Sequence, residues 1–272
     1  MDSQPQWRKI ASVSLFSLLA TVNVADRFCI SGILPQVQPY YSINDGAAGL
    51  LQTGFILAYV AFSLVATFIG DRFNRKNTLL VANAAWTTMI IGSSFVPANM
   101  FWLFLLLRSL SACGNAITFG VAVPMIGDVY QNDTRSRGYA LMVFYWSLSI
   151  GSNGGVIIAS VLSQYIAWQC VLRLWPAMAI ILLLLILIFV QEERTVEESR
   201  LTLRDIWEDL KIVFTVKSFI LTIIGQALND MCIVSQIWWK TLLVQEAMEY
   251  QSNSTRNVFH GQSFDPIIDP LD

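Results

Sequence analysis

Seven runs of roughly 20 or more largely apolar residues dominate the chain, at 10–34, 47–69, 78–97, 100–127, 138–163, 171–190 and 218–239. A helix needs about 20 such residues to cross the hydrocarbon of a bilayer. With 55% of 272 residues hydrophobic, 13% charged and a mean hydropathy of +0.55, the chain is too apolar for an ordinary water-soluble domain. The expected fold class is all-α, a polytopic membrane helical bundle. No small-residue cleavage site follows the first run, and Asp26 and Arg27 interrupt it near its far end, so it is expected to stay as a helix.

Direction follows from the basic residues, which gather in cytoplasmic loops. Arg8 and Lys9 precede the first run. Arg72, Arg75 and Lys76 join the second and third, Arg135 and Arg137 the fourth and fifth, and Arg194, Arg200, Arg204, Lys211 and Lys217 the sixth and seventh. The alternate loops, 35–46, 98–99 and 164–170, contain none. This pattern predicts a cytoplasmic amino terminus and, after seven crossings, a tail on the other side. There Asn253-Ser254-Thr255 is an acceptor for N-glycosylation, whereas Asn132-Asp133-Thr134 falls on the cytoplasmic side.

The expected organisation is a six-helix unit over 1–190, a cytoplasmic linker over 191–217, a seventh span over 218–243 and a polar tail over 244–272. In the linker, Leu203, Ile206, Trp207, Leu210 and Phe214 share one helical face behind a capping Thr202, which predicts a helix lying on the bilayer surface.

Several classes of function are excluded or unsupported. A net charge of −2 and a pI near 5.4 offer no basic surface for nucleic acid. Cys29, Cys113, Cys170 and Cys232 are scattered, and the single histidine, His260, has no partner cluster, so neither metal nor cofactor is expected. No nucleophile elbow or phosphate-cradling loop suggests an enzyme.

Ionisable residues inside spans are costly and therefore candidates for function. At 1.5 Å per residue, Asp26 and Arg108 each lie about 12 Å from the same membrane face and Asp230 about 14 Å. An Asp26–Arg108 pair would neutralise two of these charges and could open on arrival of a proton or an anionic headgroup. Arg27, turned about 100° from its neighbour, is expected to point elsewhere. Asn115 shares the face of Arg108. Ser147, Gly151, Gly155 and Ala159 recur at every fourth position, with Gly154 beside them, a spacing that permits close helix approach. Trp102, Trp168, Trp238 and Trp239 lie near span ends as interfacial anchors, and Phe119, Phe144 and Trp146 are candidate walls for an acyl chain.

The turn Gly70-Asp71-Arg72-Phe73-Asn74-Arg75-Lys76 resembles the signature between helices 2 and 3 of the major facilitator superfamily, in the wording of its spinster-like members. Asp26-Arg27-Phe28, "FWLFLLLRSLSACGNA" (101–116), "PMIGDVYQNDTRSR" (124–137), "FYWSLSIGSNGG" (144–155) and "WEDLKIVFTVKSF" (207–219) extend the resemblance over about 20–220. It departs at Thr67, where the signature has glycine, and at Asn115, where spinster proteins carry a glutamate. The resemblance implies a bundle in which helices 1, 4 and 7 line a central cavity. It also implies alternating access, a lysophospholipid or sphingoid lipid as substrate with protons as a coupling ion, and a late endosomal or lysosomal membrane before the plasma membrane. Asp71 would then latch one arrangement through Arg135 or Arg137, with the basic residues near anionic lipid headgroups. The superfamily has twelve spans in two halves and this sequence shows seven, so the alternative expectation is a non-transporting product that associates with full-length relatives.

Overall fold

The computed structural model describes residues 5–131, 133–190 and 215–261, without the side chains of 67–72, 241, 245, 249 and 252–261. The surface helix expected within 202–214, and the side chains of Gly70, Asp71, Arg72 and Asn253, therefore lie outside the described residues. So does the pairing of Asp71 with Arg135 or Arg137.

Among the described residues the chain forms eight α-helices and no strand: α1 (Gln6–Tyr41), α2 (Asp45–Arg72), α3 (Arg75–Ser93), α4 (Phe101–Leu110), α5 (Ala112–Val129), α6 (Thr134–Leu162), α7 (Trp168–Phe189) and α8 (Lys217–Gly261). Six stretches are long and apolar enough to cross a membrane, α4 and α5 counting together as Phe101–Val129. The expected third span is not among them. Asn83, Thr87 and Thr88 dilute α3, which packs against α5 and α7. The fourth run is broken at Ser111, whose hydroxyl donates to the Arg108 carbonyl at 2.6 Å while Gly114 N donates to the Ser111 carbonyl at 3.3 Å. These three-residue bonds tighten the helix locally. The charged turn is shorter than its sequence suggests: α2 runs to Arg72 and α3 begins at Arg75, capped by Asn74 Oδ1 accepting from Asn77 N at 2.9 Å. At the far end, α8 stays helical through 244–261, beyond its expected limit.

The axis of the bundle is α1, enclosed mainly by α6 and α7, while α2 packs on α5 and α4. In lipid the association of helices depends on close contact and interhelical hydrogen bonds, and the α1–α6 seam has both. A Cβ added at Gly151 would stand 2.6 Å from the Thr21 carbonyl oxygen, and one at Gly155 would collide with the backbone of Ala25. From α1, Gly32 is pressed equally against the Val156 carbonyl. Ser147 Oγ donates to Ser17 O at 3.1 Å and Thr21 Oγ1 to Ser147 O at 3.2 Å. Gly154 faces open space and takes no part.

Two large apolar clusters fill the interior, beside a small one of Val24, Phe28 and Val156. One, toward the α1–α2 turn, includes Tyr41, Phe104, Trp168 and Trp175; the other, toward the α2–α3 turn, includes Phe16, Leu79, Ile126 and Phe144. This corrects two expectations. Phe144 is a core residue packed edge-on to Phe119 at 5.9 Å, not a cavity wall, and Trp146 is exposed. Trp168 and Trp238 are buried in packing contacts and Trp239 is half-buried against the same cluster, leaving Trp102 exposed at a span end. By contrast α8 is the least enclosed span, held to α1 where Ser31 Oγ donates to the carbonyls of Ile237 and Trp238 at 2.8 and 2.6 Å.

Candidate functional site

Between the two apolar clusters lies a polar layer built by α1, α3, α4 and α5. Asp26 is fully buried and Arg108 nearly so. Arg108 Nη1 donates to Asp26 Oδ1 and Oδ2 at 3.0 and 3.2 Å, Arg108 Nη2 to the Asp26 carbonyl at 3.0 Å, and Trp86 Nε1 to Asp26 Oδ2 at 3.2 Å. Such multiple bonding is what makes a buried charge pair tolerable. Below it, Asn23 Nδ2 donates to Asn83 Oδ1 at 3.0 Å and Asn83 Nδ2 to Thr118 Oγ1 at 2.9 Å. Asn115 lies in the same layer, donating to the Asn23 carbonyl at 3.3 Å. It is buried and engaged with α1.

Arg27 faces the opposite way, as the turn between helical neighbours requires. Where it points was not foreseen. It lies between the rings of Phe28 and Phe55, its Cζ 5.1 and 4.9 Å from their centroids, and opens onto a cavity of about 590 Å³ between α1, α2 and α8. Gln52, Tyr59, Asp230 and Trp238 also line this space. Three of its lining groups are buried donors without a partner: Arg27 Nε, Gln52 Nε2 and Trp238 Nε1. Gln52 and Trp238 are only 8% and 3% exposed. Among the described residues no carboxylate pairs with Arg27. Each orphaned donor costs about 1–3 kcal/mol, and their convergence on one space is an arrangement suited to accepting an anion. The signal in the sequence was the second charge in "DRF", masked by the stronger case for Asp26.

Asp230 lies on this cavity and not with Asp26 and Arg108. Its Oδ1 accepts from Gln226 Nε2 at 2.8 Å. A second cavity of about 360 Å³ shares Ser235 and Trp239 with the first and reaches Asp45 and Glu246, toward the α1–α2 turn.

At the α2–α3 end, Arg75 Nη1 bonds Asp128 Oδ2 at 2.7 Å, tying the start of α3 to the end of α5. Asp128, in "PMIGDVY", was not singled out in the sequence. Lys76 Nζ donates to the Leu187 carbonyl at 2.8 Å, closing the last turn of α7. Arg135 lies over Tyr139 at 5.9 Å and Arg137 is exposed.

These features define a polytopic, multi-pass membrane protein with an ion pair in its core and, on its flank, a groove that holds Arg27 and Asp230. The chain belongs to the Major Facilitator Superfamily, whose family model matches residues 16–258. It is 33% identical over 225 residues to human protein spinster homolog 1, covering 80% of this chain and 42% of that protein. To the sphingosine-1-phosphate transporter SPNS2 of Xenopus tropicalis it is 34% identical over 192 residues, covering 70% of this chain and 37% of that one. The fold matches the crystal structure of a bacterial homologue of the human lysosomal transporter spinster, inward-facing and unoccupied. The TM-score is 0.68 at 19% identity, over 88% of this chain and 56% of that one. The chain spans about two fifths of the length of the curated relatives it matches.

Proposed function

We propose that the chain supplies the headgroup-binding side of a lipid transporter that works by alternating access, taking a single-chain lipid with an anionic head. The observation that carries this reading is the convergence of unpartnered Arg27, Gln52 and Trp238 donors on one cavity. A phosphate offers enough acceptor oxygens for all three, and a guanidinium is the side chain best shaped to meet it. The volume, about 590 Å³, lies within the usual range of about 300–1,000 Å³ for small-molecule sites. Ile56, Met231 and Val234 on its wall offer apolar contact to an acyl chain.

Lysophospholipids and sphingoid phosphates have this chemistry, and the similarity to sphingosine-1-phosphate transporters of Xenopus tropicalis and Mus musculus supports it. The Asp26–Arg108 pair, one residue from Arg27 on α1, is the coupling element: protonation of Asp26 would release Arg108 and loosen α1 from α4. Asp71 with Arg72, Arg75 and Lys76 forms the gating turn, the amino terminus faces the cytoplasm, and the chain resides in a late endosomal or lysosomal membrane. The reaction is movement of a solute and not its chemical conversion.

Uptake of a fluorescent lysophospholipid or sphingoid phosphate into proteoliposomes tests this. Uptake by the wild-type chain that is abolished in Arg27→Gln and reduced in Arg108→Gln at equal incorporation supports transport. Absence of uptake by the wild-type chain refutes transport by this chain alone.

A further inference from the structure

The groove carries two opposite charges that do not neutralise each other. Arg27 on α1 and Asp230 on α8 both line the larger cavity, yet among the described residues no ion pair joins them and no other cation pairs with Asp230. A carboxylate turned toward acyl tails would be severely penalised, and Asp230 instead lines a groove that also holds the polar groups of Arg27, Gln52, Thr53 and Ser235. Gln226 occupies one of its oxygens, Oδ1, leaving Oδ2 to accept from a ligand. Aromatic rings line the same cavity, those of Tyr59 and Trp239. A carboxylate with aromatic rings is the usual environment for an ammonium group. Along α8, Asp230, Val234 and Trp238 are four residues apart and share one face, so the carboxylate and the orphaned indole donor are about 12 Å apart along the axis.

We propose that Asp230 is a specificity-determining residue that receives the positive end of a zwitterionic headgroup whose negative end lies on Arg27, so that the groove selects ammonium-bearing lysolipids over purely anionic ones. This rests on the reading of Arg27 as the anion site. Asp45 and Glu246, on the adjoining cavity, act in the same direction, drawing cationic groups toward the groove and disfavouring a head with net negative charge.

Equilibrium binding to the full chain in nanodiscs tests this with three radiolabelled probes of matched chain length: lysophosphatidylcholine (quaternary ammonium), a sphingoid phosphate (primary ammonium) and lysophosphatidic acid (no cation). The wild-type chain should prefer at least one ammonium-bearing probe over lysophosphatidic acid by about tenfold, a factor reasonable for one charge-assisted contact. Preference for one ammonium probe alone identifies which amine the groove takes. Asp230→Asn should remove the preference while leaving lysophosphatidic acid binding unchanged or tighter, and Asp230→Glu should keep it. Arg27→Gln should weaken all three. If Asp230→Asn weakens every probe equally, or none, the inference is overturned while the Arg27 site stands. If the wild-type chain binds no probe, or Arg27→Gln changes nothing, the underlying reading fails and this inference with it.

Discussion

Asp26 and Arg27 are adjacent on α1, yet the first is sealed inside the bundle against Arg108 at 3.0 Å while the second lines an open groove with no carboxylate partner among the described residues. One turn of α1 therefore carries both a member of the buried ion pair and the cation available to a ligand. Because the two share a helix, movement of α1 relative to α4 changes the setting of both.

Removing one member of the buried pair should be far worse than removing both charges. Arg108→Ala leaves Asp26 with only Trp86 as a side-chain donor, and loss of about 3–5 kcal/mol is expected for such an uncompensated charge. Asp26→Asn combined with Arg108→Gln should recover a large part of it. Thermal unfolding in detergent, followed by size-exclusion chromatography, compares the single and double variants directly.

The α1–α6 seam predicts a position-specific response to added methyl groups. Gly151→Ala and Gly155→Ala push a Cβ into the backbone of α1 and should each cost about 1–3 kcal/mol. Gly154→Ala, which meets nothing within 4 Å, should be neutral or slightly stabilising, since alanine is the better helix former. Melting temperatures of the three variants check this. The stripe was legible in the sequence, but its partner was not: the contact is with α1 of the same bundle, where periodicity alone left it open.

At the start of α6, Asp133 accepts from Ser136 Oγ and from the backbone amides of Ser136 and Arg135. The hydrogen bond from the Ser136 hydroxyl, then that from its amide, holds the carboxyl below its ordinary value of 3.8. The carboxylate form is thus favoured by folding. Its stabilisation is fully present above the unfolded value and is lost as pH falls through the depressed folded one. Asp133→Ala should accordingly lower the melting temperature at neutral pH, with the difference from wild type shrinking only below about pH 4.

The Arg75–Asp128 bridge is half-exposed on its acidic side, so Asp128→Asn should change stability by no more than about 1 kcal/mol. A larger effect is expected on the balance of conformations, since the bridge joins α3 to α5 at one end of the bundle. Alkylation rates of a cysteine placed at Gly127, which has open space around it, should rise in Asp128→Asn and in high salt.

Much of the architecture was legible because the bilayer imposes a simple rule: long apolar runs mark spans, and the rare charges inside them stand out. Equal depth grouped Asp26 and Arg108 with Asp230, which the structure places elsewhere; the resemblance, which sets helices 1 and 4 around one cavity, pointed to the pair. The break at Ser111 was not legible, because it depends on a hydroxyl competing for the Arg108 carbonyl within an otherwise apolar run. Nor was the groove. Helical geometry said that Arg27 leaves the Asp26 face, but only the docking of α8 through Ser31 shows that Gln52 and Trp238 meet it there. Asp128 was hidden for a different reason, since nothing local distinguishes a carboxylate that pairs 53 residues back in the chain from a solvated one.

The central claim is that an anionic headgroup occupies the Arg27 groove. It is tested most directly by a photoactivatable lysophospholipid carrying its diazirine near the phosphate, cross-linked to the full chain in nanodiscs and mapped by mass spectrometry. Adducts on Tyr59, Met231 and Trp238 that disappear in Arg27→Gln are the predicted result. Adducts spread over the outward faces of α6 and α7, at Trp146 or Ile181, and unchanged by Arg27→Gln, would contradict it.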